Sequence, residues 1–209
     1  MILNLCCIIE GHGDSQAVPV LVRRIQQALR PDIQLNVVSP IRVPRHKIVK
    51  PYELERAVEL AARQSTPPRA ILILVDADDD APCTLGPELL QRAKAARSDV
   101  PIGVVLAKRE FETWFLAAIE SLSGRRGLPM DLQPIADVES ISDAKGKLKS
   151  LAHGSLVYSP IPDQPALAAT FDMNLARRRS DSFDKCWREM EWLLTETVGQ
   201  LRESTPEIG

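Results

Sequence analysis

The chain has 209 residues, 44% hydrophobic and 26% charged, with a formal net charge of −2. This is the composition of an ordinary folded domain, and it excludes disordered and collagen-like chains. It also excludes a protein that holds nucleic acid through overall basicity, so such contact requires clustered basic residues or a partner.

Ile2 to Ile9 is apolar apart from Asn4 and reads as a strand, running into Glu10-Gly11-His12-Gly13-Asp14. Ser15 is a candidate N-cap for a helix in which Val18, Val22, Ile25 and Leu29 recur at near-helical spacing, up to Arg30-Pro31. Ile33 to Val38 is a second strand. Ser39 to Pro51 carries Arg42, Arg45, His46, Lys47 and Lys50 among prolines and reads as a basic loop. Tyr52 to Gln64 is a predicted helix, stopped by Thr66-Pro67-Pro68. Ile71 to Val75 is an unbroken aliphatic run, the mark of a strand buried on both faces, and it ends in Asp76, Asp78, Asp79 and Asp80. A turn over Pro82 to Gly86, a helix from Glu88 to Arg97 and a fourth strand from Ile102 to Ala107 follow. Lys108-Arg109-Glu110 then leads into a helix from Phe111 to Leu122.

Alternating strands and helices predict a doubly wound α/β fold with a mostly parallel four-stranded sheet in the order 2-1-3-4, built by residues 1–122. Residues 123–209 are expected to form a helical and loop extension packed on that core as one unit. Its helices are placed at Asp143 to Leu151, Gln164 to Phe171 and Ser182 to about Leu201, with a frayed tail from Glu203 to Gly209. The last helix carries an apolar stripe of Phe183, Trp187, Met190, Leu194 and Leu201.

In the 2-1-3-4 order, strands one and three are neighbours and the switch point lies between their carboxyl ends, where open α/β sheets bind ligands. Glu10, Asp76 and Asp78 would line that crevice. Carboxylates gathered at the mouth of a core strand need either full exposure to water or a hard divalent cation. Asp76 and Asp78, two apart, would face the same side of an extended segment. Asp80 extends the row if the backbone stays extended. Asp14 is either a further ligand or a charge favouring the helix N-terminus. Glu110 and Glu112 are either partners of Lys108 and Arg109 or neighbours of the metal, with Glu112 the better placed. His12 is either a base or a solvated loop histidine, and Lys145 either contacts phosphate or is a solvated helix lysine. The four cysteines, Cys6, Cys7, Cys83 and Cys186, include no Cys-x-x-Cys pair, which argues against zinc.

At these residues the chain resembles Toprim domains, the fold shared by topoisomerases, bacterial primases and the overcoming-lysogenization-defect nucleases. Glu10-Gly11 after strand one and Asp76-Ala77-Asp78 after strand three carry the resemblance. The chain is further similar to a small bacterial Toprim-like family labelled only as a domain of unknown function. That similarity rests on Glu110-Phe111-Glu112-Thr113-Trp114-Phe115-Leu116-Ala117, Asp143-Ala144-Lys145, Tyr158 with Gln164-Pro165, and Ser182-Phe183. The resemblance implies a Mg2+ site, with Mn2+ a possible substitute, and nuclease-type phosphodiester hydrolysis. Glu10, Asp14, Asp76, Asp78, Asp80 and Glu112 would be metal ligands, and Glu10, Asp76, Asp78 and Lys145 catalytic. It also implies DNA in preference to RNA and an ATPase partner, in phage defence or DNA repair. Asp14 departs from the glutamate that many Toprim nucleases use.

Two basic clusters, Arg42, Arg45, Lys47 and Lys50, and Arg177-Arg178-Arg179, are candidates for holding a phosphate backbone or are exposed charged faces. Two rival readings stand beside the nuclease. One is a catalytically weak interaction subunit that needs its partner, motivated by the modest net charge and by the apolar stripe of the last helix. The other is a phosphotransfer domain, with Lys108 as its lysine, which leaves Glu10-Gly11 without a role. No apolar stretch nears the roughly 20 residues of a membrane span, and no basic leader precedes the first apolar run. A cytoplasmic protein with free thiols, away from membranes, is expected.

Overall fold

The computed structural model describes residues 2–152 and 158–204, and side chains up to 200. Five strands form the sheet: β1 (Ile2–Ile9), β2 (Gln34–Val37), β3 (Ile41–Arg42), β4 (Arg69–Asp76) and β5 (Ile102–Ala107). All pairings are parallel, in the order β2-β1-β4-β5, with the two-residue β3 added beside the end of β1. The α/β architecture and the order of the four main strands are as expected. The fifth strand lies inside the stretch expected to be a loop. Its pairing of Ile41 with Ile8 and Arg42 with Ile9 carries that basic stretch to the rim of the sheet.

Each core strand is apolar on both faces because helices cover both. Leu3, Leu5, Cys7 and Ile9 of β1 pack with α1 (Asp14–Leu29), while Cys6 and Ile8 face α3 (Glu53–Gln64) and α4 (Pro82–Ala96). Cys6 and Cys7 thus lie on opposite faces, as the strand period requires. The first of these clusters continues without a break through Trp114, Phe115, Phe171, Phe183, Met190 and Leu194. Residues beyond 122 therefore complete the core on the α1 side. The stripe of α9 (Asp181–Ser204) is buried here, with Phe183, Met190 and Leu194 at 1% exposure or less, which removes one of the two observations behind the interaction-subunit reading and leaves the modest net charge. Leu201 and the tail from residue 205 lie outside the described side chains and residues.

Several helix limits differ from expectation. The first helix starts at Asp14, so Ser15 is inside it rather than its cap. Tyr52, at φ 69°, precedes α3 rather than opening it. α4 begins at Pro82 and runs through Pro87; Pro82 occupies the first turn, where no N–H is needed, and a Cβ at Gly86 would come 3.3 Å from Leu106 of β5. The expected Phe111 to Leu122 helix is α5 (Thr113–Ala117) plus a 3₁₀ turn over Ile119–Leu122, broken at Ala118. The basic stretch holds the short α2 (Arg45–Ile48). α6 (Ala144–Leu151) is capped by Asp143, whose side chain accepts from Gly146 N. α7 spans Pro160–Ala168, earlier than expected, with its prolines largely in the first turn. α8 (Met173–Arg179) was not anticipated. No described helix is long and apolar enough to cross a membrane.

Candidate metal and phosphodiester site

β1 and β4 run in register from Asn4 opposite Arg69 to Ile9 opposite Leu74. Their carboxyl ends therefore emerge side by side, with Glu10 one step beyond the pairing and Asp76 at the end of β4. α1, which follows β1, and α3, which leads into β4, lie on opposite faces of the sheet, which opens the crevice between these strand ends. Two clefts meet at Glu10. The outer one, about 630 Å³, is lined by Glu10, His12, Arg42, Arg45, His46, Asp78 and Asp80. The inner one, about 340 Å³, is lined by Glu10, His12, Asp14, Asp76, Glu112, Lys145 and Gln164.

The split between the clefts has a backbone cause. β4 ends at Asp76, and Asp78 takes a left-handed φ of 48° while its N–H donates to the Arg109 carbonyl. The segment is not extended, so Asp76 and Asp78 do not share a side as the i, i+2 spacing suggested. Asp76 turns inward and Asp78 faces the outer cleft. Asp80 is exposed and paired with Arg45; Asp79 is exposed and paired with Arg109. The row of carboxylates is thereby divided between one inner acid, one open acid and two ion pairs.

The inner cleft is built from donors supplied by distant elements. The Phe111 N–H donates to Asp76 Oδ1 at 2.8 Å. Asp14, nearly buried, accepts from Gly11 N at 2.7 Å and from Gln164 Nε2 at 2.8 Å. Glu112 is 1% exposed and accepts from the Tyr158 hydroxyl at 2.8 Å. Lys145 Nζ lies 3.5 Å from Glu110 Oε1 and 3.9 Å from Glu112 Oε2, and its N–H donates to Glu110 Oε2 at 2.9 Å. Glu110 and Glu112 thus face Lys145 rather than Lys108 and Arg109. Lys108 lines neither cleft but a groove between α4 and α9, which leaves the phosphotransfer reading without its lysine.

The acids crowd one another. Burial raises the Glu10 carboxyl above the usual carboxylate range, and the charges of Asp78 and Asp14 add to this, while the Asp76 backbone and Arg45 pull it down. Burial, followed by the charges of Asp14, Glu112 and Glu10, lifts Asp76 well above its ordinary value, against Lys145. Burial raises Glu112, while Lys145 and the Tyr158 hydroxyl oppose it. Burial pushes Lys145 down, but Glu112, Glu110 and Asp76 more than offset that and its pKa is raised.

Do these residues fit magnesium? The donors are all carboxylate oxygens, the type a hard cation takes. Glu10 Oε2 and Glu112 Oε2 are buried without a hydrogen-bond partner among the described residues, and mutual repulsion is what a divalent cation relieves. The chemistry fits. Among the described residues, no group of three or more His, Cys, Asp or Glu side chains is gathered closely enough to hold a metal ion, so ligation would require side-chain rotation.

The two basic clusters differ. Arg42, Lys47 and Lys50 are exposed, and Arg42 and Arg45 line the outer cleft, with Arg45 taken up by Asp80. Arg177 pairs with Asp184 at 3.0 Å and lies over the Trp187 ring, and Arg179 pairs with Glu120 at 2.6 Å. Arg178 is exposed, with no ion-pair partner among the described residues. The arginine run therefore anchors α8 through its first and third members. Sequence reasoning gave Tyr158 and Gln164 no role of their own, though both appear in the phrases that carried the resemblance. Comparisons with models of known families, with curated proteins and with solved structures found no match.

Proposed function

We propose that the protein is a magnesium-dependent phosphodiesterase of Toprim type that hydrolyses nucleic acid. The observation that carries this reading is the position of Glu10, where an open cleft with an arginine wall meets a buried acidic one. Magnesium held by Glu10 and Asp78, with Asp76 close by, would supply positive charge to the phosphoryl oxygens. Glu10, with its carboxyl raised above the usual range by burial and by Asp78, holds a proton more readily than a free carboxylate and is placed to take up and release one. Arg42 would bear on the phosphate backbone from the opposite wall. Lys145 lies deeper, against Glu110 and Glu112, and would hold the acids in place rather than touch substrate.

By the resemblance stated above, the proposal extends to DNA in preference to RNA as substrate, an ATPase as partner and a cytoplasmic setting. The test is cleavage of supercoiled plasmid and single-stranded DNA with Mg2+ or Mn2+. Glu10→Gln and Asp78→Asn are expected to lower the rate by at least about 100-fold, on the order seen for loss of a proton-transfer group. Wild-type rates in both variants, or none in wild type with the partner present, would refute it.

A further inference from the structure

We infer that Lys145 is a built-in cation standing where a second metal ion would sit, so that each chain takes a single divalent ion, in the outer cleft beside Glu10 and Asp78. This rests on the metal-dependent reading and specifies its stoichiometry.

The inner cleft already has its positive charge. Asp143 caps α6 through Gly146 N at 2.7 Å, and the Lys145 N–H is held by Glu110 Oε2 at 2.9 Å. These two contacts fix the start of α6 so that the ammonium lies 3.5 Å from Glu110 and 3.9 Å from the otherwise unpartnered Oε2 of Glu112. Asp14, Asp76 and Glu112 are also engaged by neutral donors, Asp14 by Gly11 N and Gln164, Asp76 by Phe111 N, and Glu112 by Tyr158. A divalent ion entering here would face, at short range, an ammonium already paired with two carboxylates. The outer cleft differs in having an acid that no cation or donor among the described residues engages. Asp78 is exposed with no side-chain partner among the described residues, and Glu10 Oε2 lacks a hydrogen bond. Of the two arginines in the wall of this cleft, Arg45 is held by Asp80 and Arg42 is exposed.

The experiment is Mn2+ titration of the full chain, followed by calorimetry and by electron paramagnetic resonance. Wild type is expected to bind one Mn2+ with an uncoupled spectrum, and Glu10→Gln to weaken that binding at least tenfold. Lys145→Met is expected to bind a second Mn2+, with the line broadening of a close pair. A Lys145 that merely supports the fold would lower the melting temperature on substitution without creating a site. Melting in chelator checks that each variant is folded, and Lys145→Gln replaces Lys145→Met if the latter is not. Two Mn2+ in wild type, or one in both folded Lys145 variants, overturns the inference and leaves the metal-dependent reading standing. No Mn2+ in wild type overturns both.

Discussion

The Tyr158 hydroxyl donates to Glu112 Oε1 at 2.8 Å and ties the approach to α7 to the start of α5. Glu112 is a carboxylate at 1% exposure, so this bond is one of the few things keeping its charge tolerable. Tyr158→Phe is expected to cost about 1–3 kcal/mol, the usual result of leaving a buried acceptor without its donor. The cost should depend on pH. Glu112 already has a raised pKa from burial, opposed by Lys145 and Tyr158, and loss of the hydroxyl raises it further. A carboxyl that binds its proton more tightly when folded loses stability as pH rises from the ordinary carboxylate range through its folded pKa. The Tyr158→Phe deficit should therefore be largest above neutrality and shrink in mild acid, as read by urea unfolding across that range.

Asp76→Asn is expected to stabilise the protein at neutral pH. Burial and three neighbouring acids hold the Asp76 pKa well above its ordinary value, so its negative charge is a liability to the fold. Asparagine keeps an oxygen to accept the Phe111 N–H and removes that charge. The gain follows from the direction of that shift, since folding at neutral pH works against an ionised Asp76. The gain should shrink as pH falls below the raised pKa and vanish only in the ordinary carboxylate range, where Asp76 is protonated in the unfolded chain as well. Under the proposed function the same variant loses activity, so stability and activity should move in opposite directions. A melting temperature unchanged from wild type at neutral pH would count against the crowding described above.

The meeting of Glu10 with Asp76 was legible in the sequence because it depends on little. Two continuous apolar runs ending in carboxylates must be neighbouring buried strands if the helices alternate around them, and register then brings their ends together. The division of the acids was not legible. It turns on the left-handed Asp78 and on pairs such as Arg45 with Asp80, 35 residues apart, which exist only once the backbone is placed. The same holds for Arg177 and Arg179, which looked like surface charge until α8 set them against Asp184 and Glu120.

The two basic clusters should separate experimentally. Arg42→Ala removes an exposed charge from the outer cleft and should weaken DNA binding. It should also lower the slope of log affinity against log salt by about 1, the effect of one lost phosphate contact. Arg179→Ala should leave binding and its salt slope unchanged. It should instead lower the melting temperature, because Glu120 and the Ala117 carbonyl lose their partner at the join of α8 and α5. Fluorescence anisotropy over a salt series, with a thermal melt of each variant, reads both effects. A shared loss of binding would restore the arginine run to the interface.

Gly13→Ala tests the packing that closes the inner cleft. A Cβ at Gly13 would come 2.0 Å from Gln164 Oε1 and 3.0 Å from the Pro160 carbonyl oxygen. The first contact is with the end of a flexible side chain, but that side chain cannot swing away freely, because its Nε2 donates to the nearly buried Asp14. The second is with backbone, so α7 must also shift from its seat on α1. Overpacking of this kind costs about 1–3 kcal/mol. Gln164→Ala alone leaves Asp14 short of a donor and should also destabilise. In the double variant the closer clash is gone, so the combined loss should fall short of the sum of the single losses by about 0.5–3 kcal/mol, the range for residues in direct contact. Additive losses in denaturant unfolding would mean that Gly13 and Gln164 do not meet, and that the inner cleft is closed by some other contact.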